Sequence, residues 1–228
     1  MSLRNKTLAE FLGTSALLAT VVGSGIMAVN LSQGNNGLAL LANAGATAGI
    51  LYVLISTLGP ISGAHFNPVV SLVMRMNGEL NNRELVFYCL AQLFGAILGV
   101  IIAHAMFEQA LLQPGTHIRA GFAQYLSEAV ATFGLIMTIL LAAKQKSMQI
   151  PALVASYIFA AYWFTSSTSF ANPAVTIARS LTQSFAGIRP DDVLGFIAAQ
   201  LVGAGLAYFF FCLVFVSTTS GASGTSAK

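Results

Sequence analysis

The sequence predicts an all-α membrane protein with six transmembrane helices and two re-entrant half-helices, on three observations. Hydrophobic residues make up 56% of the 228 and charged residues only 7%, where a soluble domain carries about 25% charged residues. Six apolar stretches are long enough to cross a bilayer, and two shorter apolar pieces each open with the same dipeptide, Asn67-Pro68 and Asn172-Pro173.

A spanning helix needs about 20 mostly apolar residues. Such runs lie at roughly 7–30, 37–57, 84–107, 122–143, 151–168 and 191–216. Arg4 and Lys6 ahead of the first run give it the look of a signal peptide, but the run continues to about Asn30, beyond signal-peptide length. It is therefore read as the first span. The pieces after Asn67 and Asn172 are about ten residues each, too short to span and of the length of re-entrant segments. Asn is a good N-cap and Pro suits the first helical position, so each Asn-Pro starts a half-helix.

The chain repeats itself. Glu10 and Thr14 have counterparts in Glu128 and Thr132, and Asn67-Pro68 answers to Asn172-Pro173. Gln92-Leu93-Phe94-Gly95-Ala96 likewise answers to Gln200-Leu201-Val202-Gly203-Ala204. The order is kept while loop lengths vary, the mark of an internal duplication. Each half holds an odd number of spans, so the second starts on the opposite side of the membrane and the repeat is inverted. Two half-helices entering from opposite faces bring their N-terminal ends together near the midplane.

Arg4, Lys6, Arg75, Arg83, Lys144, Lys146 and Lys228 fall on one side of this arrangement, against Arg119, Arg179 and Arg189 on the other. The excess places both termini in the cytoplasm of a cell membrane. The net charge of +3 forms no basic block, which excludes nucleic acid as a partner. Cys89 and Cys212 lie inside apolar stretches without metal-ligand spacing, and His104 has no metal partner near it, so neither a metal nor another cofactor is expected. No nucleophile-base pair marks an enzyme.

In hydrocarbon every backbone polar group must be satisfied, so non-helical chain at membrane depth has to be buried in protein or line a water-filled cavity. The segments before the two Asn-Pro pairs are assigned to such a cavity. The carbonyls of Gly63, Ala64, His65 and Phe66, and of Thr168, Ser169, Phe170 and Ala171, would offer acceptors to a passing molecule, and the amides of Asn67 and Asn172 would offer donors. Glu10 and Glu128 sit within apolar spans, where an unpaired carboxylate is costly and a partner is expected. Gly95, Gly99, Gly203 and Gly205 recur at small-residue positions suited to close helix crossings.

The segments SGAHFNPVVS (Ser62 to Ser71) and FANPAVT (Phe170 to Thr176) resemble the paired Asn-Pro-Ala boxes of the aquaporins and aquaglyceroporins, the major intrinsic protein superfamily. The resemblance covers nearly the whole chain. It implies one aquaporin-like channel domain over 1–217, with repeat one at about 1–112 and repeat two at about 120–217; the small, polar residues at 218–228 are read from composition as a disordered tail. It implies that Glu10 and Glu128 accept hydrogen bonds from backbone N–H groups of the re-entrant loop in their own halves, the rival role being a proton relay. It also implies a homotetramer in the lipid bilayer with one pore per subunit.

The boxes are Asn67, Pro68, Val69 and Asn172, Pro173, Ala174, so the first ends in Val where the family has Ala. The second departure is larger: family members carry Arg directly after the second box, and this chain has Val175. By spacing, the remaining selectivity-filter positions are Thr47 (Ala48 if the register shifts by one), Ala160 and Ser169, all small. That filter would be wide, uncharged and only mildly polar. Arg179 lies one turn beyond Val175 and either rings the outer mouth or snorkels to the interface. Trp163, Tyr162 and the many Phe residues are read as packing or lipid contacts, although Tyr162 or Phe164 could enter the lumen. The expected function is a passive channel for water and small uncharged solutes: polyols such as glycerol, urea, and undissociated metalloid acids such as arsenous acid. The alternatives are a water-selective channel and, from another class, an ion-coupled secondary transporter.

Overall fold

The computed structural model describes residues 1–216, so the proposed tail at 218–228 lies outside the described residues. Helices α1 (Leu3–Ser32), α2 (Asn36–Ser62), α3 (Pro68–Met76) and α4 (Asn82–Met106) form the first half of the chain. Helices α5 (Phe122–Lys144), α6 (Ile150–Phe164), α7 (Pro173–Arg179) and α8 (Val193–Phe211) form the second. Short polar side chains start several of them: Ser2 accepts from the Asn5 N–H, Asn35 from Leu38, and Asn81 and Glu84 cap α4 reciprocally.

Five of the long helices have the length and apolarity to cross a membrane. The sixth, α6, has 15 residues, about 22 Å at 1.5 Å per residue, against roughly 30 Å of hydrocarbon. The expected span ran to residue 168, but the helix stops at Phe164. Thr165 turns its hydroxyl back onto the Ala161 carbonyl at 2.6 Å, and the Ser-Ser-Thr that follows leads into the second re-entrant loop. Short hydroxyl side chains compete with the helix for its own carbonyls. Helices α3 and α7, of 9 and 7 residues, are half-spans.

The halves are built alike. α1 packs chiefly on α4, and α5 on α8. The crossings are too close for side chains: a Cβ on Gly95 would sit 2.4 Å from the Phe11 carbonyl oxygen, one on Gly99 2.3 Å from that of Ser15, and one on Gly203 2.2 Å from that of Ala129. Gly205, expected to serve the same purpose, has no atom within 4 Å of such a position and faces away from the crossing.

On the far face from the N-terminus, the link between halves doubles back over the chain that follows α7. Gln113 N–H donates to the Leu181 carbonyl at 3.0 Å, Gly115 N–H to Ser180 at 2.8 Å, and Arg189 N–H to His117 at 2.8 Å. His104 is buried here: its Nδ1 donates to the Leu111 carbonyl at 2.9 Å, and its Nε2 lies 2.8 Å from the Thr182 hydroxyl.

The two second-half glycines separate a packing role from a neutral one. Gly203→Ala should lower the melting temperature in detergent by an amount corresponding to about 1–3 kcal/mol of overpacking, whereas Gly205→Ala should leave it unchanged or raised. Thermal unfolding followed by fluorescence size-exclusion would measure both, and equal effects would contradict the crossing geometry.

Candidate pore between the two half-helices

Each re-entrant loop is tied to a carboxylate within its own half. Glu10 accepts from the Ser62 hydroxyl (2.7 Å), the backbone N–H groups of His65 (3.0 Å) and Phe66 (2.7 Å), and the Gln92 amide (2.8 Å). Glu128 accepts from Ser167 (2.6 Å), the N–H groups of Phe170 and Ala171 (both 2.9 Å) and Gln200 (2.7 Å). The two glutamines reach on to the half-helices, Gln92 to Ser71 and Gln200 to Thr176, each at 2.9 Å. Every partner in the first half has its counterpart in the second.

These bonds hold a strained backbone. Ala64 and Phe66 have φ of 52° and 50°, and their counterparts Ser169 and Ala171 have 50° and 48°. A left-handed conformation costs a non-glycine residue about 1–2 kcal/mol and persists only where the surroundings overdetermine it. Here the carboxylate fixes consecutive N–H groups on one side, which turns carbonyls to the other. Among the described residues, no donor meets the carbonyls of Gly63, Ala64, His65, Ser169 or Phe170.

The half-helices meet at their N-caps. Asn67 caps α3 by accepting from Val69 N–H at 3.0 Å, and Asn172 caps α7 by accepting from Ala174 N–H at 3.0 Å and Val175 N–H at 3.3 Å. Their amide nitrogens cross to the opposite loop: Asn67 Nδ2 donates to the Ala171 carbonyl at 2.7 Å, and Asn172 Nδ2 to the Phe66 carbonyl at 2.8 Å. Each tip thus completes the other. Pro68 and Pro173 occupy the first helical positions, while Val69 and Ala174 are buried packing residues beside the caps.

A cavity of about 190 Å³ runs past this junction. One edge is polar, formed by Gly63, Ala64, His65 and Phe66, by Asn67 and Asn172, and by Ser169 and Phe170; the other walls are aliphatic, among them Leu17, Val21, Leu51, Leu135 and Val154. Thr168 and Ala171, expected among the lining carbonyls, do not border it, and the Ala171 carbonyl is taken by Asn67. Glu10 and Glu128 are fully buried and do not border it, and Glu79 at the N-terminal face is the acid that does among the described residues.

At the far end the structure gathers Thr47, Ser169 and Val175, but not Ala160. Ala160 is exposed on the outer side of α6, and Ile158 and Tyr162 face the cavity in its place. Tyr162 OH lies 3.3 Å from the Thr47 hydroxyl, and Ser169 Oγ is buried with no protein partner among the described residues. Thr47 is among the lining residues and Ala48 is not. The end expected to be wide and uncharged therefore carries a phenol and, through Arg179, a guanidinium.

Arg179 is only 2% exposed, so it does not snorkel to an interface. Its Nε donates to the Ala186 carbonyl, and its guanidinium carbon lies 3.4 Å from the centre of the Phe170 ring. Arg119, from the link between halves, stands 4.9 Å from the same ring and donates to the carbonyls of Gly187 (2.9 Å) and Ser167 (3.0 Å). Sequence reasoning took Arg119 only as a topology marker. No local pattern ties a loop arginine to a carbonyl 48 residues away. For Gln92 and Gln200 the signal was present in the matched repeat, but their role was not drawn from it.

Comparison with known proteins gives three likenesses. Residues 1–169 match the family described as major intrinsic protein, a match that ends before the second Asn-Pro. Aquaglyceroporin AqpS of Rhizobium meliloti (strain 1021) is 54% identical over 202 residues, covering 89% of this chain and 86% of that protein. Probable aquaporin TIP2-2 of Oryza sativa subsp. japonica is 28% identical over 213 residues, covering 91% and 86%. The X-ray structure of the aquaglyceroporin from Plasmodium falciparum superposes with a TM-score of 0.77 at 17% identity, covering 95% of this chain and 98% of that one, a likeness of fold.

The carboxylate anchors predict matched effects. Glu10→Gln and Glu128→Gln would each put an amide N–H₂ against two of the four donors, and breaking a buried charged network costs about 3–5 kcal/mol. Both variants should lose thermal stability in detergent to a similar extent. A variant that stays fully stable and changes only in its response to a proton gradient would instead mark that acid as a proton relay.

Proposed function

The chain belongs to the major intrinsic protein family and is a multi-pass membrane channel for small neutral solutes, not an enzyme; on that premise we propose that its pore passively passes polyols such as glycerol, urea, undissociated metalloid acids such as arsenous acid, and water. The reciprocal bonds of Asn67 with Ala171 and of Asn172 with Phe66 carry this proposal. They hold two half-helix N-termini tip to tip beside the cavity, each worth about half a positive charge. A cation there is opposed and a neutral hydrogen-bonding molecule is not. The lumen has free carbonyls along one edge and aliphatic walls opposite, which suits a polyol with its hydroxyl row on one side and its C–H groups on the other. The second Nδ2 hydrogen of Asn67 and of Asn172 and the Ser169 hydroxyl are assigned to the passing solute.

A water-selective pore is the second reading, favoured by Tyr162 and Arg179 at the far end, where bulky and charged groups exclude larger guests. An ion-coupled transporter would need an available carboxylate near the midplane, whereas Glu10 and Glu128 are each occupied by four donors away from the lumen. The orientation we propose, with the termini in the cytoplasm of a plasma or bacterial inner membrane, follows from Arg4, Lys6, Arg75, Arg83, Lys144 and Lys146 on the N-terminal face. A cysteine placed at Ser2 should then be labelled only after cells are permeabilised. The proposed assembly is a homotetramer, for which native mass spectrometry of the detergent-solubilised protein is the check.

Stopped-flow light scattering on proteoliposomes decides between the two pore readings. Glycerol and urea flux above protein-free vesicles, unchanged when proton and sodium gradients are collapsed, is expected; water flux alone would establish the narrower channel. Val175→Arg should lower glycerol flux about tenfold, equivalent to ~1.4 kcal/mol of added barrier, and spare water. Unchanged glycerol flux in that variant would remove Val175 from the selectivity filter.

A further inference from the structure

We infer that Arg179 supplies an outer charge barrier of this pore, in series with the half-helix N-termini and one helical turn beyond Val175, so that solute size and solute charge are selected at separate levels of the lumen. The inference rests on the channel proposed above. Val175 and Arg179 share a face of α7 and both border the cavity, separated by about 6 Å of helix. The lumen at Val175 is thereby free of a guanidinium, while the level one turn outward carries one.

Arg179 is held there by built contacts. Its Nε donates to the Ala186 carbonyl, and its guanidinium lies flat enough on Phe170 to bring its carbon within 3.4 Å of the ring centre. Phe170 is itself fixed edge-on by Phe196 at 5.1 Å. The second guanidinium, Arg119, approaches the same ring at 4.9 Å. Among the described residues the ion pairs are Lys6 with Glu84 and Arg189 with Asp191 and Asp192, so neither buried arginine has a carboxylate within 4 Å. Their charge is softened by a π face, carbonyl dipoles and the more distant Glu128 carboxylate, without a direct ion pair. It stays available to repel a cation entering the pore, and Phe170 is the positioning residue that aims it.

The test is a double dissociation in proteoliposomes, with glycerol flux and sodium leak under a potassium diffusion potential measured on the same preparation. Arg179→Met should raise sodium leak at least tenfold and still pass glycerol, while Arg179→Lys should stay tight to sodium. Val175→Ala should widen the range of polyols admitted without raising sodium leak. Arg179→Cys should leak like the Met variant, and should reseal to sodium after reaction with the cationic 2-aminoethyl methanethiosulfonate but not the neutral methyl reagent. The unsubstituted protein, which contains Cys89 and Cys212, is the control for both reagents. A folded Arg179→Met that remains tight to sodium overturns the inference. So does a set of Arg179 variants none of which folds, since Arg179 would then belong to the scaffold. A wild type closed to glycerol and urea would overturn the channel reading itself, an outcome separate from these.

Discussion

The fold depends on two buried carboxylates, each spent on holding an extended loop inside a membrane. Glu10 and Glu128 satisfy consecutive backbone N–H groups that no helix or sheet could reach, because the chain between α2 and α3, and between α6 and α7, is neither. Hydrocarbon offers no substitute donor or acceptor. Once these N–H groups are bound on the scaffold side, the left-handed turns at Ala64 and Phe66, and at Ser169 and Ala171, leave the carbonyls of Gly63, Ala64, His65, Ser169 and Phe170 without a protein donor among the described residues. The polar edge of the pore is the other face of the anchoring.

Around that constraint the packing is simple. Gly95, Gly99 and Gly203 let α1 meet α4, and α5 meet α8, at backbone contact, which brings each glutamic acid within reach of a glutamine on its neighbour. The glutamines carry the connection to α3 and α7 through Ser71 and Thr176. A side chain at any of those glycines would push the helices apart and lengthen the bonds on which the loops rely.

Much of this was legible in the sequence because it was written twice. The apolar runs located the helices, the duplicated Asn-Pro located the half-helices, and the paired acids announced partners in their own halves. What failed was angular. Successive residues of a helix lie about 100° apart, so assigning Ala160 where Tyr162 stands turned the choice toward the lipid side of α6. Arg179 could not be placed from spacing, since a long flexible side chain one turn outward reaches water or lumen equally well. Its position is set by Phe170 and Ala186, residues on other segments that no periodicity connects to it. Arg119 is a longer-range case of the same kind, brought to Ser167 by pairing between the inter-repeat link and the chain after α7.

The exchange of bonds at the tips bears on biogenesis. Asn67 needs the carbonyl of Ala171, and Asn172 needs that of Phe66. A nascent chain that has delivered only its first three spans to the bilayer holds an amide and a carbonyl with no mates. Closure of the tip-to-tip junction therefore waits on the insertion of the second copy.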